Sequence, residues 1–213
     1  MRAYRYCMRR LYVISDKFYR LSHSLKRNRS AVVIYSLTAL LFLVIGIAIG
    51  VTVADKTEYA LRNGAPIFRY LRGDSGAFAF FLLTFFFSLL YGAFAASTFY
   101  FKATAFLSAA PYLYSSYALG MYSSVILGIY SASALPMLFV LYIPMSIVEI
   151  VVYCMLSYKC FAFAALNGRC APTWSDIKQY YKELLPFYIT LAISALVKAV
   201  TLALFGSALV GII

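Results

Sequence analysis

The sequence predicts an all-α fold: a polytopic transmembrane helix bundle of about five spans, preceded by a basic amphipathic N-terminal helix. Three observations lead there. Between Ala31 and Ile213, apolar stretches recur that are too long for a water-soluble fold. A bilayer core of ~30 Å calls for about 20 helical residues per crossing. Only 12% of the 213 residues are charged and 64% are hydrophobic, with a mean hydropathy of +0.83; a soluble domain carries roughly 25% charged residues. Finally, nearly all the charge lies between the apolar stretches. Backbone polar groups at bilayer depth must pair internally, so helices are the default solution.

Residues 1–30 form the first segment. Tyr4, Met8, Leu11, Phe18 and Leu25 recur at three- and four-residue spacing, while Arg5, Arg9, Arg10, Lys17, Arg20, Lys26 and Arg27 occupy the other faces. That is an amphipathic helix suited to an anionic membrane surface or a partner. The membrane domain is 31–213, with spans near 31–54, 77–101, 103–130, 132–158 and 185–212. The connection 55–76 is polar, and its centre, Pro66 to Leu71, reads as a short interfacial helix. Between the third and fourth spans, residues 129–136 carry no charge; Ser131, Ser133 and Pro136 suggest a turn, and two re-entrant half-helices are the alternative. The connection 159–184 begins at Lys159, with Cys160–Leu166 extending the fourth helix to a stop at Asn167-Gly168. Thr173 and Asp176 then have capping-box spacing ahead of an interfacial helix that ends near Pro186.

Charge asymmetry orients the bundle. Nine of the nineteen basic residues precede Ser30. With the N-terminus inside, fourteen Lys and Arg face the cytoplasm and four (Lys56, Arg62, Arg69, Arg72) face out, with Lys198 in the membrane. This is the positive-inside pattern, so the N-terminus is expected in the cytoplasm and the C-terminus outside. The net charge of +12 then points to a bilayer with an anionic inner leaflet rather than to nucleic acid. Cys7, Cys154, Cys160 and Cys170 lack metal-site spacing, and three are expected on the cytoplasmic side with Cys154 inside a span, so they read as thiols without disulfides. No nucleophile elbow, HExxH or phosphate-binding loop occurs, and His23 stands alone. Neither enzyme, cofactor nor metal is expected.

Two groups of residues stand out. Gly46 and Gly50 form a GxxxG pair; Ser116, Gly120, Ser124 and Gly128 recur every fourth residue, as do Ala195, Ala199 and Ala203, and Ser88, Gly92 and Ala96. Small residues let helices approach closely in lipid, and packing within one chain is the expected use, with homo-oligomer contact the alternative. Glu149 and Lys198 lie inside apolar runs, where a charge is costly and is normally paired. Their depths from the cytoplasmic end differ by only ~5 Å at 1.5 Å per residue, so an ion pair is within reach. A clasp between two helices is the expected role, because one pair without further acids makes a poor relay. Pro111, Pro136 and Pro144 lie in or beside spans and are positioned to kink them. A polar run, Tyr112, Tyr114 to Tyr117, then Tyr122 to Ser124, either lines a small-molecule path or supplies interhelical hydrogen bonds.

The order of elements, together with Pro144-Met145-Ser146-Ile147-Val148-Glu149, resembles the stage II sporulation protein M family of bacterial integral membrane proteins. Many members carry Pro-His-Gly-x-x-Glu there; Pro144 and Glu149 match, and Met145-Ser146 replace the His-Gly. The resemblance implies a non-enzymatic cell-membrane scaffold that gathers extracytoplasmic cell-wall hydrolases during engulfment in sporulation. A small permease, or the membrane subunit of a transporter, is the alternative that Glu149, Lys198 and the Tyr/Ser-rich third span suggest.

Overall fold

The computed structural model describes residues 29–97, 107–166 and 174–205. The chain divides into two units, residues 1–38 and 39–213. Of the first, the described residues, 29–38, are helical, and Thr38 Oγ1 donates back to the Ile34 carbonyl at 2.9 Å. The amphipathic helix expected over 2–29, with Cys7 and His23, lies outside the described residues except for Arg29, as do Lys102, Asn167-Gly168, Cys170 and Thr173.

The described residues form seven α-helices and no strand, an all-α bundle as the sequence predicts. They are α1 (Arg29–Thr52), α2 (Lys56–Arg62), α3 (Pro66–Leu71), α4 (Ala77–Ser97), α5 (Ala110–Tyr130), α6 (Ile143–Leu166) and α7 (Trp174–Phe205). Four of them contain stretches long and apolar enough to cross a membrane: Ser30–Thr52, Ala77–Phe94, Ile143–Ala162 and Tyr180–Leu204. The fifth long helix, α5, has 21 residues, about 31 Å at helical rise, and no charge. It is less apolar because it carries nine Tyr and Ser residues, of which Tyr112, Ser116, Ser123 and Tyr130 are buried.

Polarity is distributed as lipid requires. On α7, Leu185, Ile189, Ile193, Leu196, Val200 and Leu204 follow three- and four-residue spacing and are all exposed, while Ser194, Lys198 and Thr201 are buried. The exposed side of α4 is Phe78, Leu82, Phe86 and Leu90. An apolar exterior around a polar interior is stable only where the solvent is hydrocarbon.

The helix ends differ from the predicted spans in two places. The fourth span was expected from 132, yet α6 begins at Ile143, after a 3₁₀ turn (Ser131–Ala134) and a π-helical turn (Pro136–Tyr142). Pro144 has no N–H to give to Val140, and the preceding Ile143 N–H bonds one residue further back, to Leu138, which is the π register. Pro111 and Pro136 stand in the first turns of their helices and start them, whereas Pro144 lies inside one helical run over 135–166, where the π register gives way to α. The fifth span was expected from 185 after a break, but α7 is continuous from Trp174 through Pro186. The carbonyl that Pro186 leaves without its N–H belongs to exposed Lys182. The turn after α5 opens on Ser131 with φ 52°, ψ −131°, a conformation that favours glycine.

Chain direction alternates through α5, α6 and α7. Ser108 and Ser157 hydroxyls meet at 3.1 Å, placing the start of α5 beside the far half of α6. Cys160 Sγ and Tyr180 OH meet at 3.1 Å, and Lys159 Nζ pairs with Glu183 at 2.7 Å, where α7 departs from α6. Thus α5 and α6 are two continuous antiparallel helices, not half-helices.

The small residues are used as predicted within the bundle unit. A Cβ on Gly46 would strike the Tyr117 carbonyl, one on Gly50 would come 2.8 Å from Ser124 Cβ, and one on Gly120 would come 2.9 Å from the Ile47 nitrogen. The GxxxG pair of α1 therefore seats on the small-residue stripe of α5. Gly92 takes the Tyr188 ring of α7, where an added Cβ would lie 2.7 Å from Cε1. Ser116, Ala195 and Ala199 are buried; Gly128 faces the Lys56 side chain of α2, and Ala203 is exposed.

Candidate functional site

The connection between α1 and α4 folds into a cap. Asp55 caps α2, its Oδ1 accepting from Glu58 N–H at 2.8 Å, and Pro66 starts α3. The Arg72 guanidinium donates to the carbonyls of Ala60, Leu61 and Asn63 at the end of α2, and its Nε reaches Asp74 at 2.6 Å. The short helix α3, expected at an interface, is instead mostly buried: Ile67, Phe68, Tyr70 and Leu71 are all enclosed. Phe68 packs edge-on against Tyr59 and Tyr122, and Tyr70 against Phe80. Tyr70 OH donates to the Leu202 carbonyl of α7 at 2.8 Å. Burial pushes the Tyr59 and Tyr70 phenols up from their ordinary value, so both remain protonated donors at neutral pH.

Beneath this cap lies a chamber of about 320 Å³. Each wall is one helical face. On α4 it is Phe80, Thr84, Phe87, Ser88 and Tyr91; on α5, Tyr114, Ser115, Ala118, Leu119 and Tyr122. The π turn and α6 supply Tyr142, Ser146, Glu149 and Tyr153, and α7 supplies Lys198. The spacings 80/84/87/91 and 142/146/149/153 are those of residues stacked on one side of a helix. Asn63 to Ile67 of the cap line its cap-side end. Tyrosines tie the walls together. Tyr153 OH donates to the Ser88 carbonyl at 3.3 Å, Tyr91 meets Tyr114 and Tyr153 edge-on, and the Tyr114 and Tyr122 hydroxyls stand 3.4 Å apart.

The predicted pair is present. Lys198 Nζ lies 2.5 Å from Glu149 Oε2, with both side chains nearly enclosed. Ser194 Oγ lies 3.0 Å from Glu149 Oε1 and 3.1 Å from the Met145 carbonyl, and Lys198 Nζ is 5.2 Å above the Tyr142 ring. Each charge thus has a holder besides its partner: a hydroxyl for the carboxylate and a π face for the ammonium. Pro144, the other residue of the family-like motif, is half-buried in the first turn of α6 and does not line the chamber.

The polar run of the third span splits between two faces. Tyr114, Ser115 and Tyr122 line the chamber, whereas Ser116 and Ser124 bond back to the carbonyls of Tyr112 and Gly120, and Tyr117 OH reaches Met121 Sδ. Sequence reasoning missed Thr84, Tyr91, Tyr142, Tyr153 and Ser194. The signal was present as polar residues at helical spacing in otherwise Phe- and Val-rich segments. The Thr84 hydroxyl has no hydrogen-bond partner among the described residues. The same residues contain no group of three or more His, Cys, Asp or Glu able to hold a metal. No family model, curated protein or solved structure matches the chain.

Proposed function

We propose that this chain is a non-enzymatic membrane protein of the small-permease type, which takes a small polar solute from the cap side into the chamber between α4, α5 and α6. One observation carries the reading: the Glu149–Lys198 pair, though nearly enclosed, stands on the wall of a cavity. A clasp alone needs neither the space nor the tyrosine walls. A concave, mostly apolar pocket with a few converging polar groups is the usual form of a small-molecule site, and ionisable groups at membrane depth commonly mark solute paths. The basic excess ahead of α1 supports an N-terminus in the cytoplasm and a C-terminus outside, so the cap-side end of the chamber, at residues 63–67, faces outward.

The test is solute entry into vesicles holding the purified chain, using labelled polyols, amines, carboxylates and amino acids. At least one class is expected to enter faster than into empty vesicles. Ala118→Trp, which fills the chamber from α5, should abolish that entry. Equal rates with and without protein for every class, in a folded sample, contradict the proposal.

A second reading, the sporulation scaffold implied by the family resemblance, is supported by the folded outer cap. There Glu58 and Arg62 form an exposed pair beside exposed Leu61 and Arg69, a surface a cell-wall hydrolase could grip. Its test is co-purification of such a hydrolase, lost on reversing the charges of Arg62 and Arg69; recovery without any wall enzyme counts against it.

A further inference from the structure

We infer that the chamber takes a zwitterion, a small molecule bearing an ammonium and a carboxylate a few ångströms apart, with Glu149 receiving the ammonium and Lys198 the carboxylate. This rests on the permease reading above and narrows it to one class of solute.

Charge balance is the first argument. Among the described residues lining the chamber, Glu149 and Lys198 carry the formal charges, and they sum to zero. A solute with net charge would bring into this space a charge with no counter-charge left for it, which is costly away from water. A zwitterion exchanges partner for partner, and all four charges remain paired.

The second argument is that both side chains stay held when the pair opens. Glu149 Oε1 keeps Ser194 Oγ at 3.0 Å, and Lys198 keeps the Tyr142 face at 5.2 Å. The exchange therefore starts from groups already positioned and does not require them to be ordered by the solute. The third argument is the wall. Tyr91, Tyr114 and Tyr153 surround the approach to Glu149, and aromatic faces attract a cation once it has shed water. Phe80, Phe87 and Leu119 leave room for an apolar side group. An uncharged polyol would bind without opening the pair, and that difference makes the inference testable.

The experiment uses the full chain in lipid nanodiscs, titrated with leucine and phenylalanine. Each is compared with its N-acetyl form, its methyl ester and ribitol as an uncharged probe. Saturable binding of a free amino acid is expected, at least tenfold tighter than either blocked form, because each block leaves one protein charge without its new partner. In Glu149→Gln/Lys198→Met, where both charges are removed together and the helices can still pack, the preference for the free form should vanish, with thermal unfolding confirming the fold. Equal binding of free and blocked forms overturns the inference. Saturable binding of ribitol alone overturns it too but leaves the permease reading standing. Binding and vesicle entry by none of the probes sinks both.

Discussion

Breaking the Glu149–Lys198 pair one partner at a time should cost far more than removing both. At 2.5 Å between Nζ and Oε2, two unit charges attract by roughly 7 kcal/mol at an effective dielectric constant of ~20. Desolvating each ion costs several kcal/mol and offsets much of that gain, so the net worth of the pair is small while its internal coupling is large. Glu149→Gln leaves Lys198 with only the Tyr142 face, and Lys198→Met leaves Glu149 with only Ser194. Each single variant is expected to lose about 3–5 kcal/mol. The double variant should return to within about 1–2 kcal/mol of the parent, since Gln and Met fill similar space and a charge no longer stands alone. The assay is equilibrium unfolding in mixed micelles of rising SDS fraction, read as a double-mutant cycle. If each single change costs less than about 1 kcal/mol, or if the two costs simply add, the two groups are not a buried, coupled pair and the site as described is wrong.

Three further outcomes follow from the packing. Gly120→Leu drives a side chain into the backbone of α1 at Leu43 and Ile47 and should lose about 1–3 kcal/mol of stability in the same assay, whereas Gly64→Ala, with nothing within 4 Å, should leave it unchanged. Tyr70→Phe removes the 2.8 Å hydrogen bond to the Leu202 carbonyl; about 1 kcal/mol should be lost, together with faster amide exchange across 66–71 as α3 loosens. Ser131→Gly relieves a backbone conformation with φ 52° and should stabilise the bundle by about 1 kcal/mol, seen as a higher unfolding midpoint with no change in far-UV circular dichroism.

How much of this was legible in the sequence depends on which physical signal each feature leaves. Helix starts near 31 and 77 were readable because polar residues flank long apolar runs. The pairing of Glu149 with Lys198 followed from counting residues inward from the same face, since helical rise turns sequence distance into depth. The docking of Gly46 and Gly50 on α5 was half readable: small stripes announce close approach but not which helix approaches. The start of the fourth helix was misplaced because residues 131–142 are as apolar as a span, and the shift to 3₁₀ and π turns is set by Ser131 and Pro144, not by hydropathy. The continuous run of α7 was misread because Pro186 and the polar residues before it resemble a helix boundary; exposure of Lys182 lets the lost bond be tolerated. The chamber left only a partial trace, polar residues at helical spacing within apolar segments. It exists because polar faces of α4, α5 and α6 converge, and which faces meet is decided by packing alone.

The claim on which the account turns is that water and small solutes reach the Glu149–Lys198 pair from the cap side. The direct measurement is the reaction rate of a small, zwitterionic, membrane-impermeant thiol reagent with Ser115→Cys, in vesicles and in a background lacking Cys7, Cys154, Cys160 and Cys170. The reference is Leu82→Cys on the exposed apolar side of α4. Labelling at position 115 at least tenfold faster than at 82, slowed by a bound solute, is the predicted result. Rates at 115 as low as those at 82 would mean a dry interior and would contradict the account.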